Sequence, residues 1–418
     1  MEATKFQFDF LNDDDSKLPK ELQDAIDSGK EVLFLINPPY IKATPNKGNE
    51  NTGISNTVVG KEMNTLKFGI SSSQLSTQFL YKITKLKEKN KNIKIAIFNK
   101  PNYITSDGFK ILRKYFLSNF GFVKGFLFNA SHFSDTADTW GISFSLWNNE
   151  SNSDKNIFKH ILIDTDETFD IIELGEKILY NCDGINKANI IFKNKEKNDI
   201  LLPPIKSFIT INKNKEKLGC SKAIGYINND SNNLMQQQVV FLASSVISAN
   251  GNKAITPDKF NKSINLFSVR KIVYQSWIND KDEYLAPNED HPQYEQFTYD
   301  SIVYSLFNNS SQQSSLRQVD YKDKKWDIKN EFFWLSKNDM LRLSEENNYD
   351  EVYKDAKTSN ERFVYNKLFG EERIYDRLSE TTKEVLDMAT ELTYKSFKMR
   401  KLVSESNPEF HLDSWDAG

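Results

Sequence analysis

Asn37-Pro38-Pro39-Tyr40 is the stretch of this 418-residue chain whose residue types and spacing suit a definite chemistry. Two consecutive prolines fix φ near about -65° and push Asn37 away from the helical region, so the turn is rigid. It presents one amide, backbone carbonyls outside any ladder, and an aromatic face. An amide oxygen and a carbonyl together accept both hydrogens of an exocyclic amino group. That orients the nitrogen lone pair and stabilises charge developing on it, as a reaction on a planar –NH2 requires. Tyr40 can stack on the ring that carries the amine. The bland alternative is a turn at a strand end, where Pro and Asn are common.

Other chemistries fare poorly. His132, His160, His291 and His411 are scattered and show no ligand spacing, so no metal site is expected. Cys182 and Cys220, the two cysteines, exclude a disulfide framework and a four-cysteine zinc site. Pro257-Asp258 and Asp320-Tyr321-Lys322 can be forced into a nuclease pattern. Carboxylate–x–Lys triplets arise by chance in so lysine-rich a chain, and nuclease activity is not expected.

The elements that position the turn read as alternating strands and helices over the first 150 residues. Lys5–Leu11 alternates apolar and polar residues, and an acidic Asn12–Asp15 stretch follows. Pro19–Ser28 has helical spacing at Leu22 and Ile26, with Gly29 as a stop. Glu31–Ile36 is a continuous apolar run, as for a strand buried on both faces of a parallel sheet, and it ends at the Asn-Pro-Pro-Tyr turn. From Ile41 to Ser73 the chain is polar, and a loop that long is often functional. A helix fits Ser76–Lys87, a strand Ile93–Phe98, a helix Asp107–Asn119, and strands Val123–Asn129 and Gly141–Trp147. The pattern implies βαβ units and a mostly parallel sheet. Composition turns polar at Asn148–Asp154, where a boundary is placed. Beyond it, Phe158–Ile163 and Asn189–Phe192 are strand-like, 206–335 is irregular, Asn308–Ser315 suits a surface loop, and Ser359–Val403 has helical periodicity.

Residues 5–147 resemble the catalytic half of amino-group DNA methyltransferases, particularly the adenine-N6 enzymes of restriction–modification systems. Asn37-Pro38-Pro39-Tyr40 matches their catalytic motif residue by residue. Asp9-Phe10-Leu11 resembles the acidic/aromatic pair that contacts the adenine of S-adenosylmethionine. Gln78–Tyr81 resembles the helix after the catalytic loop, Ile95–Tyr103 the next strand and its proline, and Asp107–Tyr115 the helix beyond. His132-Phe133 followed by Gly141–Trp147 resembles the segment whose aromatic residue sandwiches a flipped base. The resemblance implies that Asn37 and the Pro38 carbonyl bind the target amine, while Tyr40 and Phe133 stack on the base. Asp9 and Phe10 would contact the cofactor, S-adenosylmethionine, whose methyl passes directly from sulfonium to nitrogen. A base inside a duplex must be extruded at about a few kcal/mol, which stacking at about 1–3 kcal/mol per base partly offsets.

The implied fold class is α/β. A partial Rossmann-like methyltransferase sheet over 1–150 is followed by a mixed α+β target-recognition region over 151–335 and a helical end over 336–418. The same resemblance demands a glycine-rich strand–turn–helix where backbone amides approach the cofactor closely. Only 16 glycines are present, no two of them spaced as G-x-G, and eight residues precede Asp9. The cofactor site is therefore expected to be incomplete. A missing N-terminal segment or a second polypeptide would supply the loop, and the abrupt end at Trp415–Gly418 favours a fragment or split enzyme.

Protein-glutamine and RNA-guanine methyltransferases also carry N-P-P-Y, but the long region after Trp147 fits target recognition on double-stranded DNA. Lys82–Lys124 holds eleven Lys/Arg against two acids and can neutralise phosphates or simply form a solvated face. Trp277, Trp326, Trp334 and Arg317 could also reach DNA, although core packing suits the tryptophans better. The rival reading is a catalytically inactive DNA-binding or specificity component on the same scaffold. The chain is 38% hydrophobic and 13% aromatic, carries a net charge of -3, and shows neither a signal-like N-terminus nor a membrane-length apolar run. A cytoplasmic protein is expected.

Overall fold

The computed structural model describes residues 4–40, 57–133, 136, 138–151, 156–188, 224–229, 232–235, 240–243, 252–308, 318–321, 324–327 and 363–392. The expected strand at 189–192, most of the expected surface loop at 308–315, and Arg317, Trp334, Cys220 and His411 lie outside those residues. The chain divides into two compact units. One comprises 1–185 with 233–235 and 275–283; the other comprises 186–232, 236–274 and 284–418.

Helix α1, Lys20–Asp27, starts after Pro19, buries Ile26 and ends where Gly29 takes φ +71°. Strand β1, Val32–Ile36, leads into the Asn-Pro-Pro-Tyr turn. The expected long polar loop is not all loop. Its second half forms helix α2, Val58–Thr65, and a 3-10 turn, Gly69–Ser73. Thr57 caps α2 by accepting from the Gly60 N–H at 2.9 Å and donates to Gln78 Oε1 at 2.6 Å. Polar residues thus hold the segment through side-chain bonds that no apolar period announces. Helix α3, Leu75–Lys89, strand β2, Ile93–Asn99, a single turn α4, Asn102–Thr105, and helix α5, Lys110–Leu117, follow. Strands β3, Gly121–Asn129, β4, Gly141–Asn148, β5, Ile157–Thr165, and β6, Ile171–Tyr180, complete the unit.

These six strands form one sheet in the order β1-β2-β4-β3-β5-β6. β1 pairs parallel with β2 and β3 with β5, whereas β2/β4, β3/β4 and β5/β6 are antiparallel. The sheet is therefore mixed. The carboxyl ends of β1, β2, β3 and β5 share one rim. The sheet also continues beyond the polar stretch at 148–154, through a hairpin whose second strand, β6, has too little alternation to be read from sequence. Lys5–Leu11 forms no strand: residues 4–9 are irregular and a turn follows.

Residues opposite one another on neighbouring strands share a face. On one face Phe34, Ile95, Trp147 and Phe122 form a row beneath α2, α3 and α5. Trp147 is fully buried there, its ring 4.9 Å from Phe116 and 5.3 Å from Phe122. Each such buried apolar side chain contributes about 1.5–3 kcal/mol. The opposite face carries the rows Leu35–Ala96–Leu146–Lys124 and Phe98–Phe144–Phe126–Ile161. It is far less covered. β1 is an edge strand, not a strand buried on both faces: Leu33 and Leu35 are 55% and 67% exposed. On the same face Ile161 and Ile178 of the outer hairpin are also exposed.

In the second unit Gly225–Asn228 is flanked by Phe241–Ala243 and Asn252–Ile255 in a three-stranded antiparallel sheet. Helices Phe260–Ile272 and Tyr294–Phe307 pack together, and residues 363–369, 374–377 and 380–392 are helical. No helix among the described residues is long and apolar enough to cross a membrane.

Candidate functional site

The turn after β1 sits at the carboxyl rim of the sheet. Pro38 is buried, Asn37 and Pro39 are exposed, and Tyr40 is half-buried. The Tyr40 hydroxyl donates to Asn37 Oδ1 at 2.5 Å. Burial raises the Tyr40 pKa well above the usual phenol range, so the ring stays a neutral donor and cannot serve as a base near neutrality. That bond uses one of the two lone pairs of the amide oxygen and leaves the other for an incoming amino group.

Two further segments bring aromatic rings to Tyr40. Strand β3 ends at Asn129, and the turn behind it carries His132 and Phe133; the Phe133 ring centroid lies 6.4 Å from that of Tyr40. His132 Nε2 is 2.8 Å from Asp164 Oδ1 near the end of β5, which ties this turn to the outer hairpin. Trp140, just before β4, stands edge-on to Tyr40 at 6.0 Å. Behind them Phe98, Phe126, Phe128, Ile142 and Ile163 fill the end of the sheet. The structure thus brings together Tyr40 and Phe133, two residues the sequence singled out, and adds Trp140. Its position depends on strand pairing, and nothing in its local sequence marks it.

Strand β2 contributes to the same rim. Asn99 is fully buried, and among the described residues neither its Oδ1 nor its Nδ2 has a hydrogen-bond partner; its carbonyl accepts from Ser143 Oγ at 2.9 Å. Lys100, the next residue, places Nζ 3.8 Å from the Trp140 ring centroid and donates to the Tyr40 carbonyl at 3.5 Å. Desolvation, with the neighbouring Lys281 adding to it, lowers the Lys100 pKa to about 8. Lys281 arrives from far along the chain. Residues 275–283 are held to this unit by the Lys177–Asp282 ion pair and by Thr105 Oγ1 donating to the Lys281 carbonyl at 2.6 Å. Gly141 allows the approach: a Cβ there would lie 2.8 Å from the Trp277 carbonyl.

The two residues assigned to the cofactor are placed differently. The Asp9 carboxylate accepts from the Leu11 and Asn12 backbone N–H groups and from Asn12 Nδ2, closing its own turn. Phe10 is stacked on Phe79 at 4.9 Å with Lys82 Nζ 5.2 Å from its centroid. Both are committed to contacts within the chain. No G-x-G occurs in the sequence. In the lysine-rich segment 82–124, five of the eleven basic residues are held in ion pairs. Lys82 and Lys89 pair with Asp15, Lys85 with Glu62, Lys94 with Glu31 and Arg113 with Asp183.

No protein-family profile and no curated protein matches the chain. Among solved structures it is similar to the DNA complex of the type IIL restriction–modification enzyme MmeI, at 12% identity and a TM-score of 0.36 over 90% of this chain and 58% of that one. It is also similar to a modification subunit of a type I restriction enzyme from Vibrio vulnificus YJ016, at 13% identity and a TM-score of 0.26 over 38% of this chain and 36% of that one. The chain thus spans well under two thirds of either protein.

Proposed function

We propose that this chain is the target-base half of a restriction–modification DNA methyltransferase that modifies the N6 amino group of a flipped adenine. One observation carries the reading: the Asn37-Pro38-Pro39-Tyr40 turn stands at the carboxyl rim of the sheet with Phe133 and Trp140 facing Tyr40. Asn37 and the Pro38 carbonyl would accept the two amine hydrogens, while Tyr40 and Phe133 hold the ring by stacking. S-adenosylmethionine supplies the methyl group. Its site is completed by a second polypeptide or a further N-terminal segment that carries the glycine-rich loop. The open parallel edge of β1 and its exposed leucines suit such a completion, because parallel strands are ordinarily covered on both faces. The second unit and the helical end would then serve target recognition on double-stranded DNA, in the cytoplasm.

The rival is an inactive DNA-binding or specificity component on the same scaffold; the Tyr40 hydroxyl on Asn37 Oδ1 takes up one of the two lone pairs an amine would use. Modified-base sequencing of the host genome with the gene intact and deleted separates the two. The methyltransferase reading expects N6-methyladenine at one motif to vanish on deletion. An unchanged methylome, with DNA binding intact, would establish the rival.

A further inference from the structure

Among the described residues Lys100 is a basic residue at this rim with no acidic partner. Lys82, Lys85, Lys89, Lys94 and Arg113 in the same segment each pair with a carboxylate. Among the described residues no carboxylate lies within ion-pairing distance of Lys100 Nζ, and the nearby Asp280 is taken by Lys281. What Lys100 has instead is the face of Trp140 and the Tyr40 carbonyl. Those contacts leave donor capacity free on an ammonium that carries three N–H groups. A half-buried cation without a counter-ion is costly, and an anion placed beside it relieves that cost. Burial has already drawn the amine down to about 8, and an anion would raise it again.

Tyr40, Phe133 and Trp140 stand beside Lys100 and offer ring surface on which a flat aromatic partner can stack. A ligand that offers a planar ring and an adjacent anion is a nucleotide. A glutamine side chain, which other N-P-P-Y enzymes modify, offers neither. We propose that Lys100 is the phosphate-binding group of this site, engaging the phosphodiester beside a base held by Tyr40 and Phe133. The proposal rests on the DNA reading above and adds the group that meets the strand's charge.

The test is fluorescence anisotropy of the full chain with a labelled single-stranded oligodeoxyadenylate, whose bases need no extrusion. Wild type, Lys100→Gln, Lys100→Arg and Tyr40→Ala are titrated at several salt concentrations, with urea midpoints confirming that each variant is folded. Lys100→Gln is expected to weaken binding about tenfold at low salt and to reduce the slope of log K against log salt by about 0.7, while Lys100→Arg keeps both. In competition, adenosine monophosphate should displace the probe better than adenosine does from wild type, but not from Lys100→Gln; inorganic phosphate alone should do little. If Tyr40→Ala weakens binding while Lys100→Gln leaves the salt slope unchanged, the Lys100 role is wrong and the base-binding reading survives. If neither substitution matters, the base-binding reading falls and the proposal falls with it.

Discussion

Replacing His160 by Gln should make the sheet less sensitive to acid. His160 is fully buried at the middle of β5, in the row Ser145–Gly125–His160, and a Cβ on Gly125 would sit 2.6 Å from its ring. Its Nδ1 lies 3.1 Å from the Phe158 carbonyl and its Nε2 3.0 Å from Ser145 Oγ. Burial lowers its pKa from 6.5 to about 4, so the folded state holds the neutral ring. The sign follows directly. Above about 6.5 the ring is neutral in both states and costs nothing; as pH falls the unfolded chain takes up the proton first. Stability is then lost by about 1.4 kcal/mol per pH unit down to about 4, roughly 3 kcal/mol in all and about 2 kcal/mol by pH 5. Gln retains hydrogen-bonding capacity toward Ser145 but cannot titrate. Urea unfolding at pH 7 and pH 5 measures the difference. The variant's loss between those pH values should be about 2 kcal/mol smaller than that of wild type. Equal losses would mean that His160 is not held neutral, and the buried environment assigned to it would be wrong.

Leu35→Lys should change the urea stability of the isolated chain by less than about 0.5 kcal/mol, because that side chain is 67% exposed. Trp147→Ala, on the covered face, should cost about 3–5 kcal/mol in the same assay. Calorimetry should find no near-micromolar binding of S-adenosylmethionine by this chain alone; such affinity would contradict the proposal that a further segment or polypeptide completes the cofactor site. Tyr40→Phe removes the hydroxyl from Asn37 Oδ1 and keeps the ring. It should preserve oligodeoxyadenylate binding to within about threefold, whereas Tyr40→Ala loses the stacking contribution of about 1–3 kcal/mol.

The periodic elements were legible in the sequence. α1, α3 and β1 to β5 fall within a residue or two of the runs that announce them, because their apolar spacing reports one buried side. α5 is shorter than expected, since a 3-10 turn occupies Asp107–Phe109 at its start. The N-P-P-Y turn was legible for a different reason, its proline pair fixing the local backbone whatever the surroundings. What stayed hidden depends on pairing between distant segments. Leu33 and Leu35 read as buried, yet β1 lies at the sheet edge, which no local pattern encodes. α2 begins on a side-chain cap to Thr57 inside a polar stretch. Trp140 and Lys100 join the site through the β2/β4 pairing, and Asp280 and Lys281 through the return of residues 275–283. Asp9 and Phe10 matched an expected motif, but their side chains close a local turn and a ring stack.

The most direct measurement is sequencing of adenine methylation in the host after Asn37→Ala is introduced at the native locus. Every partner then remains present, and only the exposed amide of the turn is lost. Methylation at the recognised motif is expected to disappear while the protein still accumulates and binds DNA. Methylation that persists at the wild-type level would contradict the assignment of Asn37-Pro38-Pro39-Tyr40 as the site that receives the target amine.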